Sequence, residues 1–141
     1  MNIAFISCVK NKLKGEHKAK DLYVSDFFKK SINYCLTTHD KVCILSAKYG
    51  LLELDTIIKD YDMTLNDFSK SEKIKWSKMV YEQMKKNING DDNLYFYVGN
   101  NYREYLLPLL TNKCSVPLEG MGIGQQLQYF KNNTVTKHDF F

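Results

Sequence analysis

Four short apolar segments of the sequence are each followed by residues that could bind or transform an anionic ligand. The apolar segments cover residues 2–6, 41–45, 93–98 and 114–118. The candidate ligand-binding residues share a position after one of these segments, and they are Cys8, Lys10, Lys12, Ser46, Lys48, Tyr49, Gly50, Gly99, Tyr102, Gly120, Gly122, Gly124 and Gln125. Ammonium groups, aromatic faces and glycine-rich backbone are together typical of sites that bind nucleotides.

Lysines and tyrosines supply the contacts that a nucleotide needs. Lys10, Lys12 and Lys48 each offer a point charge for a phosphate. The first two belong to a lysine-rich region near the N-terminus, which a solvated loop explains equally well. Tyr49 or Tyr102 would stack on a base, a contact worth about 1–3 kcal/mol where it occurs.

Three glycines at alternate positions, Gly120, Gly122 and Gly124, lead into a predicted helix. Such a turn lets the backbone approach a ligand closely, and the free amides of the helix start favour an anion. The spacing matches neither G-x-G-x-x-G nor the P-loop with its Lys-Ser/Thr. Tight packing between strand and helix explains these glycines equally well.

Two carboxylates are candidates for catalysis. Glu119 lies at the mouth of the glycine-rich turn, where it could accept hydrogen bonds from a ribose or act as a general base. Stabilisation of its charge by the start of the helix is at least as good an explanation. Asp62 lies in a stretch with weak helical signal, and it fits a catalytic carboxylate or a turn residue equally.

The four cysteines indicate a reducing compartment. They form no C-x-x-C pair, and no spacing typical of zinc ligands is present, so no disulfide, metal or other cofactor is predicted. Lys10 would lower the pKa of the Cys8 thiol, but no histidine is placed to pair with it, so a polar contact is favoured over a nucleophile. We find no signal peptide and no apolar run of about 20 residues, and we therefore expect a cytoplasmic protein with no membrane partner.

The predicted elements alternate between strand and helix. The apolar segments are predicted strands, and helices are predicted over residues 21–36, after the capping box Ser69–Glu72, from Asn101 and over residues 123–131. This order favours a single α/β domain over residues 1–141, with a mainly parallel sheet of about four strands and helices on both faces. In such a sheet the strands end at one edge, where ligands of open α/β sheets bind.

The sequence also resembles a poorly characterised bacterial and phage domain family. The resemblance rests on Ser-Ala-Lys-Tyr-Gly-Leu-Leu at 46–52, on an early Cys-x-Lys at 8–10, and on Pro-Leu-x-Gly-x-x-Ile-Gly-x-Gln-Leu at 117–127. That family is distantly similar to the YaaA group of peroxide-stress proteins, which share a segment like residues 49–55 and bind DNA. More loosely, it is similar to domains associated with nucleic-acid base modification and N-glycosidic chemistry.

Together, these features favour a domain that acts on a nucleotide, either free or within a nucleic acid. Lys10, Lys12 and Lys48 would hold phosphates, and Asp62 or Glu119 would stabilise positive charge on a sugar or act as a base. The alternative is a non-catalytic module that binds nucleic acid or sequesters a nucleotide. A third possibility is a phage accessory protein that binds a host protein.

Overall fold

The computed structural model describes residues 1–7 and 12–134 as one α/β arrangement. Its strands are β1 (Asn2–Ile6), β2 (Glu16–Lys18), β3 (Lys41–Ser46), β4 (Gly50–Glu53), β5 (Ile57–Lys59), β6 (Asn93–Tyr97) and β7 (Cys114–Ser115). Its α-helices are α1 (Ala19–Leu22), α2 (Asp26–Thr38), α3 (Lys70–Asn87), α4 (Asn100–Arg103) and α5 (Ile123–Asn133). Two 3₁₀ turns cover Leu65–Asp67 and Leu107–Leu109.

The central sheet has five strands in the order β4-β3-β1-β6-β7, and β2 pairs with β5 in a separate antiparallel ribbon. The strands β3, β1, β6 and β7 are parallel, in agreement with the four predicted strands. The sheet is mainly parallel, as predicted, but it has a fifth strand that the sequence did not predict, β4, which runs antiparallel to β3. A short reversal joins these two strands, and so short a connection permits only antiparallel pairing.

Helices cover both faces of the sheet, as the sequence predicts. Ala4 and Ile6 of β1 belong to a core cluster shared with α2 and α5. Ile3 and Phe5 belong to the opposite cluster, which contains Trp76 of α3. Successive side chains of a strand point to opposite faces, so a continuous apolar run must be covered on both sides.

The helices differ from the predicted ones in length. The predicted helix over 21–36 is divided into α1 and α2, and the hydroxyl of Ser25 caps α2 by accepting a hydrogen bond from the amide of Phe28 at 3.1 Å. The capping box of α3 is confirmed, with Ser69 and Glu72 in reciprocal hydrogen bonds. The helix predicted from Asn101 is only the four-residue α4, followed by turns and a 3₁₀ turn that contains Pro108. No helix in the described part of the chain is long and apolar enough to cross a bilayer.

Candidate functional site

The order of the parallel strands creates a crevice at the carboxyl edge of the sheet. After β1 the chain passes to β3 on one side, and it then crosses to β6 on the other side of β1. The last residues of β1 and β6 are direct neighbours, with Ile6 opposite Tyr97. Where the direction of winding changes in this way, the loops diverge and leave room for a ligand.

A cleft of about 720 Å³ occupies this crevice. It is lined by Ser7 after β1, by residues 96–103 at and after the end of β6, and by residues 116 and 118–121 after β7. The volume lies within the range of small-molecule sites, roughly 300–1,000 Å³. The ends of three parallel strands therefore share one cavity.

Apolar and aromatic residues supply much of the wall of this cleft. Phe27 and Leu118 line it, together with Tyr102, which is 5% exposed. At the rim, Met121 and Ile123 are 37% and 64% exposed. A flat apolar surface of this kind fits the face of a base or another planar group.

Arg103 is a largely buried cation in the wall of the cleft. Its side chain is 16% exposed, and Nη1 lies 3.9 Å from Oε1 of Glu119, which is itself 73% exposed. Its Nε is buried and has no hydrogen-bond partner among the described residues. An unsatisfied buried donor costs about 1–3 kcal/mol, and a planar guanidinium matches the oxygens of a phosphate. Arg103 lines the cleft, and its side chain is still partly exposed, so an anion that enters the cleft can contact the exposed part of the guanidinium.

Two asparagines of the cleft are held in place by a chain of hydrogen bonds. Nδ2 of Asn101 donates to Oδ1 of Asn66 at 2.6 Å, and Nζ of Lys73 donates to Oδ1 of Asn101 at 3.0 Å. Both asparagines line the cleft. The chain of bonds joins α3, α4 and the 3₁₀ turn Leu65–Asp67, and so it fixes polar groups from three elements on one wall.

The glycine-rich turn leads into α5 as predicted, with Gly122 as the N-cap. Gly120 has a φ of +83°, a conformation that favours glycine. A Cβ added at Gly120, Gly122 or Gly124 would meet no atom within 4 Å, so tight packing does not explain these glycines. Oε1 of Gln125 accepts a hydrogen bond from the amide of Gly122 at 3.0 Å, which gives Gln125 a capping role.

The predicted site residues around the end of β3 form a separate group. The hydroxyl of Ser46 donates to that of Tyr61 at 2.9 Å. Nζ of Lys12 lies 4.5 Å from the centre of the Tyr61 ring, and Nζ of Lys48 lies 5.3 Å from the centre of the Tyr49 ring. None of these residues lines the 720 Å³ cleft.

Other predicted site residues are distributed as follows. Gly99 and Tyr102 line the cleft together with Glu119, whereas the exposed Asp62 does not. The two predicted carboxylates therefore do not both line this cavity. Cys8 and Lys10 lie outside the described residues.

Buried thiols and metal ligands add no further chemistry. Burial raises the pKa of Cys35 and of Cys43 to about 12, so both thiols are protonated near neutrality and are poor nucleophiles. Among residues 1–7 and 12–134, no group of three His, Cys, Asp or Glu side chains could hold a metal ion.

Sequence reasoning missed Arg103, Asn66 and Asn101 as site residues. A signal for the first was present, because Arg103 is the only arginine of the sequence beside 19 lysines. Arginine binds planar anions through two parallel hydrogen bonds, which lysine cannot do. A lone arginine directly after a predicted strand therefore indicated a specific contact.

Comparison with known proteins connects the chain to proteins without an assigned activity. Residues 3–132 match the model of a family described as a family of unknown function (DUF6884). A relative from Bacillus subtilis (strain 168), called uncharacterized protein YfjM, is 28% identical over 147 residues, which cover 97% of each chain. The family match begins in β1 and ends in α5, so it includes every element around the cleft.

Proposed function

Since the chain belongs to the family of unknown function DUF6884, we propose its function from the cleft itself: it binds a nucleotide, with the phosphate on Arg103. The observation that carries this proposal is the guanidinium of Arg103 in the wall of a cleft at the change of winding direction, with an Nε that has no hydrogen-bond partner among the described residues. The apolar wall near Phe27 and Leu118 accommodates the base. The amides at the start of α5 add favourable partial charge near the phosphate.

Calorimetric titration of the full chain with nucleosides and their 5′-phosphates, at low salt, tests this proposal. We expect nucleoside monophosphates to bind and the matching nucleosides to bind at least tenfold more weakly, since a charge-assisted hydrogen bond contributes about 1.5–3 kcal/mol. Equal affinity for nucleoside and nucleotide would contradict a phosphate site. Absence of binding for every nucleotide would remove the proposal.

A second candidate, N-glycosidic chemistry on the bound nucleotide, is favoured by the position of Glu119. This carboxylate lies 3.9 Å from Arg103, and so it would stand beside the sugar of a nucleotide whose phosphate Arg103 holds. There it would stabilise the positive charge that develops on the sugar as the C1′–N bond breaks. As a general base it would take a proton from the water whose oxygen bonds to C1′. The electron pair of the C1′–N bond stays with the departing base, which then receives the proton that Glu119 took from the water.

Substitutions at Glu119, which lines the cleft, and at Lys48, which lies in the group near the end of β3, test which of these two places binds the nucleotide. We expect Glu119→Gln to retain nucleotide affinity within about threefold, because the amide keeps the shape and part of the hydrogen-bonding capacity, and to abolish any release of free base. Lys48→Ala is expected to weaken binding only if the phosphate extends beyond the cleft toward Tyr49. Titration calorimetry and chromatography of the products measure both effects.

The outcomes of these two variants are distinct. A larger loss of affinity in Lys48→Ala than in Glu119→Gln would place the ligand at the Lys48–Tyr49 group instead of the cleft. Unchanged base release in Glu119→Gln would contradict the catalytic role of this carboxylate and leave the binding role intact.

A further inference from the structure

Helix α3 carries an excess of positive charge equal to that of the whole protein. It contains six lysines and two glutamates, and so its formal charge is +4, the same as that of the complete chain. The remaining sequence is therefore balanced, with 14 basic and 14 acidic residues. Five of the six lysines are exposed, and they are Lys70, Lys75, Lys78, Lys85 and Lys86.

The N-terminal half of α3 adjoins the cleft. Lys73 donates to Asn101 at 3.0 Å, and the ring of Trp76 packs edge-on against Tyr102 with 5.5 Å between ring centres. Both Asn101 and Tyr102 line the cleft. The N-terminal half of α3 therefore supports one wall of the cleft, and Lys70, Lys75 and Lys78 are exposed on the same half of the helix.

The helix dipole favours the lysines at the end of α3 and disfavours the one at its start. Lys70 is the first residue of α3, where the helix dipole disfavours a cation. Lys85 and Lys86 lie in the last turn, where the helix dipole favours a cation. Nζ of Lys85 also lies 3.2 Å from Oε1 of Glu82 in a salt bridge. By contrast, Lys70, Lys75 and Lys78 form no salt bridge within 4.0 Å of any described carboxylate. The charge of Lys75 nevertheless adds to the hydrogen bonds from Ser69 in lowering the pKa of Glu72, and those hydrogen bonds are the larger cause.

We propose that Lys70, Lys75 and Lys78 form a docking surface for the backbone of a single-stranded nucleic acid, one nucleotide of which enters the cleft. This inference rests on the proposed function, and it identifies the ligand as a nucleotide within a strand. A single strand suits the cleft, because its bases are free to turn away from the backbone without the cost of breaking a base pair. RNA and DNA share the phosphates that these lysines would contact.

Two matched double variants test the docking surface. Lys75→Gln with Lys78→Gln removes two charges from the half of α3 that supports the cleft wall, and Lys85→Gln with Lys86→Gln removes two charges from the far end of the same helix. The probes are RNA and DNA oligonucleotides of about 12 nucleotides, within the usual site sizes for single strands. Fluorescence anisotropy at several salt concentrations gives the affinity and its salt dependence, and a nucleoside monophosphate serves as the short ligand.

We expect the first double variant to bind the oligonucleotide roughly tenfold more weakly at low salt. Its slope of log affinity against log salt should fall by about 1.4, since each phosphate contact of a single strand contributes about 0.7. Affinity for the nucleoside monophosphate should not change, and the second double variant should remain within about twofold of the wild type. A difference between RNA and DNA would identify which of the two is the ligand.

Other outcomes overturn the inference in recognisable ways. Equal losses in both double variants would show general attraction by net charge instead of a docking surface. Polyglutamate is a second competitor for the labelled oligonucleotide. If it competes as strongly as an unlabelled oligonucleotide of the same total charge, the surface binds an acidic protein partner instead. Binding of the nucleoside monophosphate without tighter binding of the oligonucleotide would contradict this inference and leave the proposed function standing, whereas no binding of either would remove both.

Discussion

Replacing Arg103 with glutamine is expected to lower the affinity for a nucleoside monophosphate by roughly ten- to a hundredfold. The reason is the loss of a charge-assisted hydrogen bond, about 1.5–3 kcal/mol, at about 1.4 kcal/mol per decade of affinity. Arg103→Lys should recover only part of the loss, because an ammonium lacks the two parallel donors of a guanidinium. Titration calorimetry of the three proteins at low salt measures the effect.

The same substitution should leave the free energy of unfolding unchanged or slightly higher. Nε of Arg103 is buried without a described partner, and removing an unsatisfied donor relieves a cost of about 1–3 kcal/mol. Lys113→Gln is the control, since it makes the same change in charge at an exposed residue before β7, at the opposite edge of the sheet. A loss of stability in Arg103→Gln with unchanged affinity would show that Arg103 has a structural role.

Gly50→Ala should give the largest loss of stability among single substitutions in the predicted site. Gly50 has a φ of +74°, which costs an L residue roughly 1–2 kcal/mol. An added Cβ would also overlap Oε1 of Gln83, the end of a flexible side chain, which would have to move and lose the hydrogen bond that it accepts from Leu51, at a cost of about 0.5–1.5 kcal/mol. We therefore expect the free energy of unfolding, measured by urea denaturation, to fall by about 1.5–3.5 kcal/mol.

The crowding at Gly50 has a structural cause. The side-chain amide of Gln83 donates to the carbonyl of Tyr49 and accepts from the amide of Leu51, and so it holds the reversal into β4 against α3. Gly15→Ala is the matched control, since its φ is +88° but nothing lies within 4 Å of an added Cβ. Equal losses of unfolding free energy in Gly50→Ala and Gly15→Ala would show that the contact with Gln83 contributes nothing to stability. A loss of ligand affinity in Gly50→Ala without a loss of stability would instead support Gly50 as a binding residue.

Local signals in the sequence determined most of the central elements. The four parallel strands are short apolar runs, and a run with no polar alternation must be buried on both faces wherever it lies in the chain. The start of α3 was equally predictable, because the capping box Ser69–Glu72 involves only neighbouring residues. The extra strand β4 was not, since it depends on pairing with β3 and on contacts of Gln83 from a distant helix.

The position of the cleft at the carboxyl edge of the sheet also followed from the sequence. Alternating strands and helices bring the ends of all the parallel strands to one edge, whatever their order. Which ends share a cavity depends on strand order, and tertiary structure alone decides this. Because the chain crosses from β3 over β1 to β6, the cleft joins the ends of β1, β6 and β7, and Lys48 after β3 does not line it. Arg103 is placed in its wall by the same crossing, and its burial results from packing that involves elements far apart in the sequence.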